Sequence, residues 1–417
     1  MRSSAASLAP SPPPAHSSSA PAAAPLRIAF VLESSTWGGM EIHTLQLAQV
    51  LTRRGHHVSI IEVGEPVFDD ATALRGSGIE LLNVRLDREL AEVGFLHWYT
   101  LFRSLRADIG VGAKGWFLSG SARLELAARA AFPRFVTIEH VTPPSLNERR
   151  PTKRYFGGLV AGPGIWRLRR WINRRIRRFA PHRVIGVSRA VIDQLHKEYG
   201  FDPRKLVAVP NGISCDRFRP DPAWRAASRA RWGVPEHAIV FGTVGRLDIV
   251  HKGQDLALDL LAELRRRLPG IPFYYVLVGD GPDRERLAEQ AAALGIAEYV
   301  VFAGGTATPW ESYPGFDIFA LPSRFEGGPF TLMEAMASGC CAVAMRVGAV
   351  DDIIPDRSVG WNVPAGSREE FLAAMEAAVN AGAAQRRAIG ERARQHVLRH
   401  FQAEQQYAAV ADMVLRP

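Results

Sequence analysis

The chain has 417 residues, 47% of them hydrophobic and 22% charged, which suits two globular cores of ordinary size. It excludes a bilayer-spanning helix, since no apolar run approaches ~18 residues. The net charge of +9 is local: residues 149–183 hold twelve Arg or Lys and no Asp or Glu, and the remainder is slightly acidic.

Residues 1–25 are an Ala/Pro/Ser tail with little to bury, expected to be disordered. The tail lacks the continuous apolar segment of a signal peptide, so the protein is expected in the cytoplasm. Leu26–Leu32 reads as a strand, followed by a Gly-containing loop and a helix beginning near Met40. Residues 56–63, 135–140 and 183–188 read as further strands, short, apolar and β-branched like buried parallel strands. After Pro210-Asn211-Gly212 the chain turns polar over 220–237, and the alternation restarts. Strands are expected at 238–245, 272–278, 299–304, 316–323 and 341–347, with helices between them, and residues 367–417 are mostly helical. This order implies an α/β protein of two Rossmann-like doubly wound domains, 26–210 and 211–395, facing an interdomain cleft. A C-terminal helix over 396–417 is expected to pack back on the first domain. Cys215, Cys340 and Cys341 give neither a disulfide framework nor a metal-ligand spacing.

The strongest chemical signal is Glu326-Gly-Gly-Pro-Phe-Thr-Leu-Met-Glu334, between a strand and a helix. Two carboxylates so placed can each accept from a diol, and the helix N-terminus offers N–H groups to a phosphate. The plainer reading of Glu334 is an acidic residue favoured by the helix dipole. Arg246 and Lys252 flank a short loop after the strand 238–245; they suit a diphosphate, or a surface ion pair. Gly38-Gly39 follows the first strand, where glycines permit close approach of a ligand, or merely a turn. His140 ends a strand. Ser188 and Asn211-Gly212 read more simply as a helix cap and a turn.

Gly245-Arg-Leu…Lys252-Gly, Val278-Gly-Asp-Gly-Pro282 and Leu321-Pro-Ser…Glu326…Glu334-Ala-Met-Ala together resemble, over about 110 residues, the second domain of family-four retaining glycosyltransferases of the GT-B fold (glycosyl transferases group 1). More weakly, the resemblance extends over nearly all of the chain after residue 26. It implies a nucleotide-sugar donor and a glycan or lipid-linked acceptor, with a role in cell-envelope or exopolysaccharide synthesis. By the same resemblance Glu326 touches the donor sugar and Glu334 the ribose. Arg246 and Lys252 bind the diphosphate, and Phe330 and Thr331 lend backbone N–H groups to it. Pro329, where many members carry Gly, cannot do so. The Gly38-Gly39 loop faces the donor phosphates and the acceptor. His140 lies near the reacting sugar as the catalytic candidate, hydrogen-bonding the sugar. Retention by a front-face route follows from the resemblance too.

No Asp-x-Asp stands at a strand end, and the adjacent pairs Asp69-Asp70 and Asp351-Asp352 point apart in regular structure. No metal and no cofactor is therefore expected, with cations and helix N–H groups stabilising the leaving diphosphate. Residues 165–179 carry apolar side chains at 165, 168, 172, 176 and 179 among arginines, with Trp166 and Trp171. A basic amphipathic helix suits an anionic membrane surface at the inner face of the cytoplasmic membrane; its apolar stripe is expected to pack inward, leaving the arginines to lipid. Residues 75–120 and 141–165 are expected to line the acceptor pocket. The alternative is a basic membrane- or nucleic-acid-binding GT-B scaffold without transferase activity. No nucleic-acid-reading motif is present, so nucleic acid is not an expected partner.

Overall fold

The computed structural model describes residues 24–33, 38–64, 66–68, 74, 76–85, 93–115, 121–140 and 163–417, with only the backbone for 163–167, 169 and 170. The tail reading for residues 1–23, Asp69-Asp70 and most of the 141–165 reading lie outside the described residues.

The first half runs β1 (Arg27–Leu32), α1 (Gly39–Arg53), β2 (His57–Val63), β3 (Ile79–Val84), α2 (Phe95–Ser104), β4 (Ile109–Lys114), α3 (Ala122–Ala131), β5 (Arg134–Glu139), α4 (Pro163–Phe179), β6 (Arg183–Gly186), α5 (Arg189–Lys197) and β7 (Leu206–Ala208). Its strands form a parallel seven-stranded sheet in the order β3-β2-β1-β4-β5-β6-β7. The second half runs α6 (Pro222–Trp232), β8 (Ile239–Val244), α7 (Ile249–Lys252), α8 (Gln254–Arg267), β9 (Phe273–Val278), α9 (Arg284–Ala293), β10 (Val300–Gly304), β11 (Ile318–Leu321), α10 (Phe330–Ala337), β12 (Cys341–Met345), α11 (Val350–Ile353), β13 (Trp361–Val363), α12 (Arg368–Asn380), α13 (Gly382–His400) and α14 (Ala403–Leu415). Here the parallel order is β10-β9-β8-β11-β12-β13. Strand order reverses at β1/β4 and at β8/β11, the points where open α/β sheets bind ligands beyond their carboxyl ends.

Residues 79–84 and 109–114 form two strands that the sequence does not announce. They supply the edge strand β3 and the central strand β4, every residue of which is buried. Gly110 explains why β4 is hard to read: a Cβ there would come within 2.2 Å of the Phe132 ring. The strand gives up side chains so that an aromatic ring can lie on the sheet, at the expense of β propensity.

Helix α14 lies on the first domain. Tyr407, Val410, Ala411 and Val414 share a core with Ile28, Leu47, Leu51 and Val136. The return is anchored where Ile213 N–H donates to the Phe401 carbonyl at 2.9 Å and Ala403 N–H donates to the Ile213 carbonyl at 2.9 Å.

Helix α4 also turns differently. Leu168, Trp171, Ile172 and Phe179 are 42–62% exposed, and Arg177, 4% exposed, faces inward to the Glu125 carboxylate at 3.4 Å. At about 3.6 residues per turn, pointing Arg177 in sends 168, 172 and 179 to the far side. Leaving the buried Glu125 charge short of a partner costs more than exposing apolar area. Ile165 and Trp166 carry no described side chain.

Candidate functional site

Three loops at the carboxyl end of the second sheet converge. Short α7 ends in Lys252, whose Nζ donates to Glu326 Oε1 at 2.8 Å; Ser323 Oγ donates to the same oxygen at 2.7 Å. Asp248 caps α7, accepting from His251 N–H, and fixes the loop that presents the lysine. Backbone ties hold the neighbours in register: Arg324 N–H to the His251 carbonyl at 2.8 Å, Leu247 N–H to the Asp280 carbonyl at 2.9 Å, and Ala349 N–H to the Gly327 carbonyl at 2.8 Å. Glu326 is buried, so its charge depends on these donors. Arg246 stands apart from this pair. Its side chain is 55% exposed and binds Asp248 at 3.2 Å.

Phe330 and Thr331 open α10, behind Pro329 at the N-cap, so their N–H groups precede the helix's own hydrogen bonds. Glu334 lies one turn further. The Tyr313 hydroxyl donates to its Oε2, and burial pushes its carboxyl up to about 7, against the lowering effect of that bond.

The first domain approaches from across the cleft. Gly38 caps α1 with an extended backbone, φ −166°, so its conformation suits any residue. Gly39 is different, because a Cβ there would lie 3.0 Å from the Phe330 ring. The N-terminal ends of α1 and α10 therefore touch at this point. Asn211 is more than a turn residue: just past β7, its Nδ2 donates to the Gly328 carbonyl at 2.8 Å, beside the Glu326 loop. Ser188 serves as the cap of α5, accepting from Val191 N–H at 3.2 Å.

His140 directly follows β5, with its N–H donating to the Lys114 carbonyl at 3.0 Å. It is buried, and burial lowers its pKa to about 3. A neutral imidazole results, able to hydrogen-bond a sugar but not to carry charge. Its ring meets His43 of α1 edge to face, centroids 4.6 Å apart. The structure thus joins Lys252 to Glu326 and Gly39 to Phe330, while the Arg246 guanidinium binds Asp248 and the His140 ring meets His43.

Sequence reasoning passed over a second set of buried charges beneath His140. Lys114 ends β4 and pairs with Glu125 of α3, which Arg177 of α4 also reaches. Glu33 follows β1 and accepts from Ser121 N–H at 3.1 Å. Glu139, next to His140, is buried, and its Oε2 finds no hydrogen-bond partner among the described residues. Burial raises its pKa to about 7, opposed by Lys114. Only the position of Glu139 and Lys114 at strand ends signals them in the sequence; Glu125 and Arg177 reach the cluster from separate helices. Among the described residues no group of three or more His, Cys, Asp or Glu is placed to hold a metal ion.

Two family models match this chain: Glycosyltransferase Family 4 over residues 37–217 and Glycosyl transferases group 1 over residues 225–396. A GDP-mannose-dependent alpha-(1-6)-phosphatidylinositol monomannoside mannosyltransferase of Mycolicibacterium smegmatis is 38% identical over 166 residues, 37% of this chain and 42% of the relative. A D-inositol 3-phosphate glycosyltransferase of Geodermatophilus obscurus is 34% identical over 217 residues, 49% of this chain and 46% of the relative. The aligned stretches span about half the length of the curated relatives or less. Among solved structures, Anabaena HepE in complex with UDP superposes with a TM-score of 0.73 at 18% identity, covering 93% of this chain and 99% of that one. At that identity the likeness establishes the two-domain GT-B fold.

Proposed function

Since the chain belongs to the family-four, group 1 glycosyltransferases, we propose that it moves a sugar from a nucleotide-sugar donor to a lipid-linked or glycan acceptor, retaining anomeric configuration, at the inner face of the cytoplasmic membrane. The observation that carries this is the Lys252–Glu326 pair at 2.8 Å, set in the second domain where the first domain's Gly39 meets Phe330. A cation for a diphosphate and a carboxylate for sugar hydroxyls lie side by side at a strand-end switch point.

In this reading Lys252, Arg246 and the N–H groups of Phe330 and Thr331 neutralise the departing diphosphate without a divalent ion. The anomeric carbon–phosphate oxygen bond breaks, and the acceptor oxygen bonds the same face. Its proton passes to the leaving phosphate oxygen. Glu326 and neutral His140 hold sugar hydroxyls, and Glu334 holds the ribose. The curated relatives' names favour GDP-mannose as the first donor and an inositol-bearing glycolipid or phosphate as the first acceptor class to try. The exposed Leu168, Trp171, Ile172 and Phe179 on α4, with Arg175 stacked 4.5 Å over the Trp171 ring, support contact with an anionic lipid surface. No helix among the described residues is long and apolar enough to cross a membrane.

The test is a thermal-shift panel of GDP, UDP and ADP and their sugars, followed by transfer assays with and without EDTA. Stabilisation by one nucleotide, and chelator-resistant transfer lost in Glu326→Ala, are expected. Wild-type-like transfer in Glu326→Ala, Arg246→Ala and Lys252→Ala overturns the site, and chelator-sensitive transfer restored by Mg²⁺ overturns the metal reading. For α4, Trp171→Glu is expected to abolish sedimentation with phosphatidylglycerol vesicles; equal binding by wild type to neutral vesicles overturns the surface assignment.

A further inference from the structure

Three buried polar atoms in one corner of the cleft lack a hydrogen-bond partner among the described residues: His43 Nδ1, His140 Nε2 and the Tyr407 hydroxyl. Folded proteins pair nearly all such atoms. These three belong to rings in series. His43 meets His140 at 4.6 Å and Tyr407 at 5.0 Å between centroids, both edge to face. Their exposures are 1%, 7% and 2%, so the shortfall is not made up by bulk solvent.

The series ends facing the second domain. Tyr407 rides on α14, which packs against α1, so it belongs to the first domain's body although it lies near the end of the chain. Gly39 and Phe330 touch at the starts of α1 and α10. His43 and Glu334 each stand one turn further along those helices, on the same faces. Tyr407 lies against His43 at that level. The Glu334 carboxylate is near enough that its charge adds to burial in raising the phenol's pKa. Both histidines are held neutral, by burial first and, for His43, by His140 as well. Neutral imidazoles and an un-ionised phenol suit hydroxyl groups rather than phosphate.

Resting on the nucleotide-sugar reading above, we propose that Tyr407 is a donor-positioning residue supplied by the C-terminal helix. Its hydroxyl hydrogen-bonds the ribose hydroxyls gathered at Glu334 when the donor docks, and its ring, through His43, holds the His140 edge toward the sugar.

Tyr407→Phe keeps the ring and removes the hydroxyl, and the two roles then move in opposite directions. Without ligand, the variant is expected to melt at or above the wild-type temperature, because a buried unpaired hydroxyl has gone. For whichever of GDP, UDP or ADP stabilises the wild type, affinity measured by calorimetry is expected to fall about fivefold to tenfold. Combined with Glu334→Gln, the loss is expected to be smaller than the product of the two single losses, as for groups sharing one ligand. Unchanged nucleotide affinity in Tyr407→Phe overturns the proposal, whatever the melting temperature. Fully multiplicative losses in the double variant overturn the shared ribose contact. A wild type that no nucleotide stabilises refutes the nucleotide-sugar reading itself, and this inference with it.

Discussion

The two sides of the cleft are built on opposite plans. In the second domain the candidate groups sit in strand-end loops and in the short helices beside them, α7 and α10, and pair side chain to side chain: Lys252 with Glu326, Arg246 with Asp248, Glu334 with Tyr313. In the first domain the charges are interior and drawn from distant elements. Lys114 ends a strand, Glu125 and Arg177 come from two helices, and one oxygen of Glu139, beside His140, lacks a hydrogen-bond partner among the described residues. Lys252, 28% exposed, can turn from Glu326 to a diphosphate, whereas Lys114, Glu125 and Arg177, each 5% exposed or less, hold a network that must be kept whole. Variants of the Lys252–Glu326 and Arg246–Asp248 pairs should therefore change chemistry and spare stability, and variants of the Lys114–Glu125–Arg177 network the reverse.

The sharpest test of that contrast is Glu125→Ala. It removes the buried carboxylate that Lys114 and Arg177 both reach, and urea unfolding is expected to show a loss of about 3–5 kcal/mol. A loss below about 1 kcal/mol would dissolve the distinction. Next is Glu326→Ala, expected to lower transfer by about a hundredfold or more with an unchanged melting temperature. Nucleotide affinity should hold or rise, because Lys252 is released from its carboxylate. Third, Lys252→Met is expected to weaken nucleoside-diphosphate binding about tenfold to a hundredfold. Arg246→Met should weaken it less, its guanidinium being 55% exposed and screened by solvent. Equal losses would place Arg246 as deep in the site as Lys252.

The smallest effect is a pH signature. The Glu139 carboxyl is raised to about 7 in the folded chain, above its unfolded range, so the fold holds its proton more tightly than the unfolded state does. That contribution is complete below the unfolded value and disappears as pH rises through 7. Glu139→Gln is therefore expected to raise stability relative to wild type at pH 8, by on the order of 1 kcal/mol, and to leave it unchanged near pH 4. A gain that is the same at both values would assign the effect to packing instead.

The same contrast governs what could be read from the sequence. The donor-side residues lie within one strand–loop–helix unit each, so the run Glu326 to Glu334 and the Arg246 to Lys252 loop appear as contiguous text. The alternating elements and the two-domain α/β organisation were legible for the same reason, since each strand carries its own apolar run. β4 was not, because Gly110 yields its side-chain space to Phe132. The orientation of α4 was not either. Its arginines look like a solvated face until Glu125, on another helix, claims Arg177. His43 and Tyr407 are 364 positions apart and meet only through the return of α14. No local spacing announces such a pair.

That return has a consequence for how the molecule is made. The first sheet's strands all precede residue 209, yet Val410, Ala411 and Val414 are needed to cover Ile28 and Leu47. On a ribosome, the half that emerges first must wait for residues 410–414 before its apolar surface is closed. A protein split near residue 210 would hence yield a first fragment with an uncovered greasy flank, which α14 added in trans as a peptide should quiet.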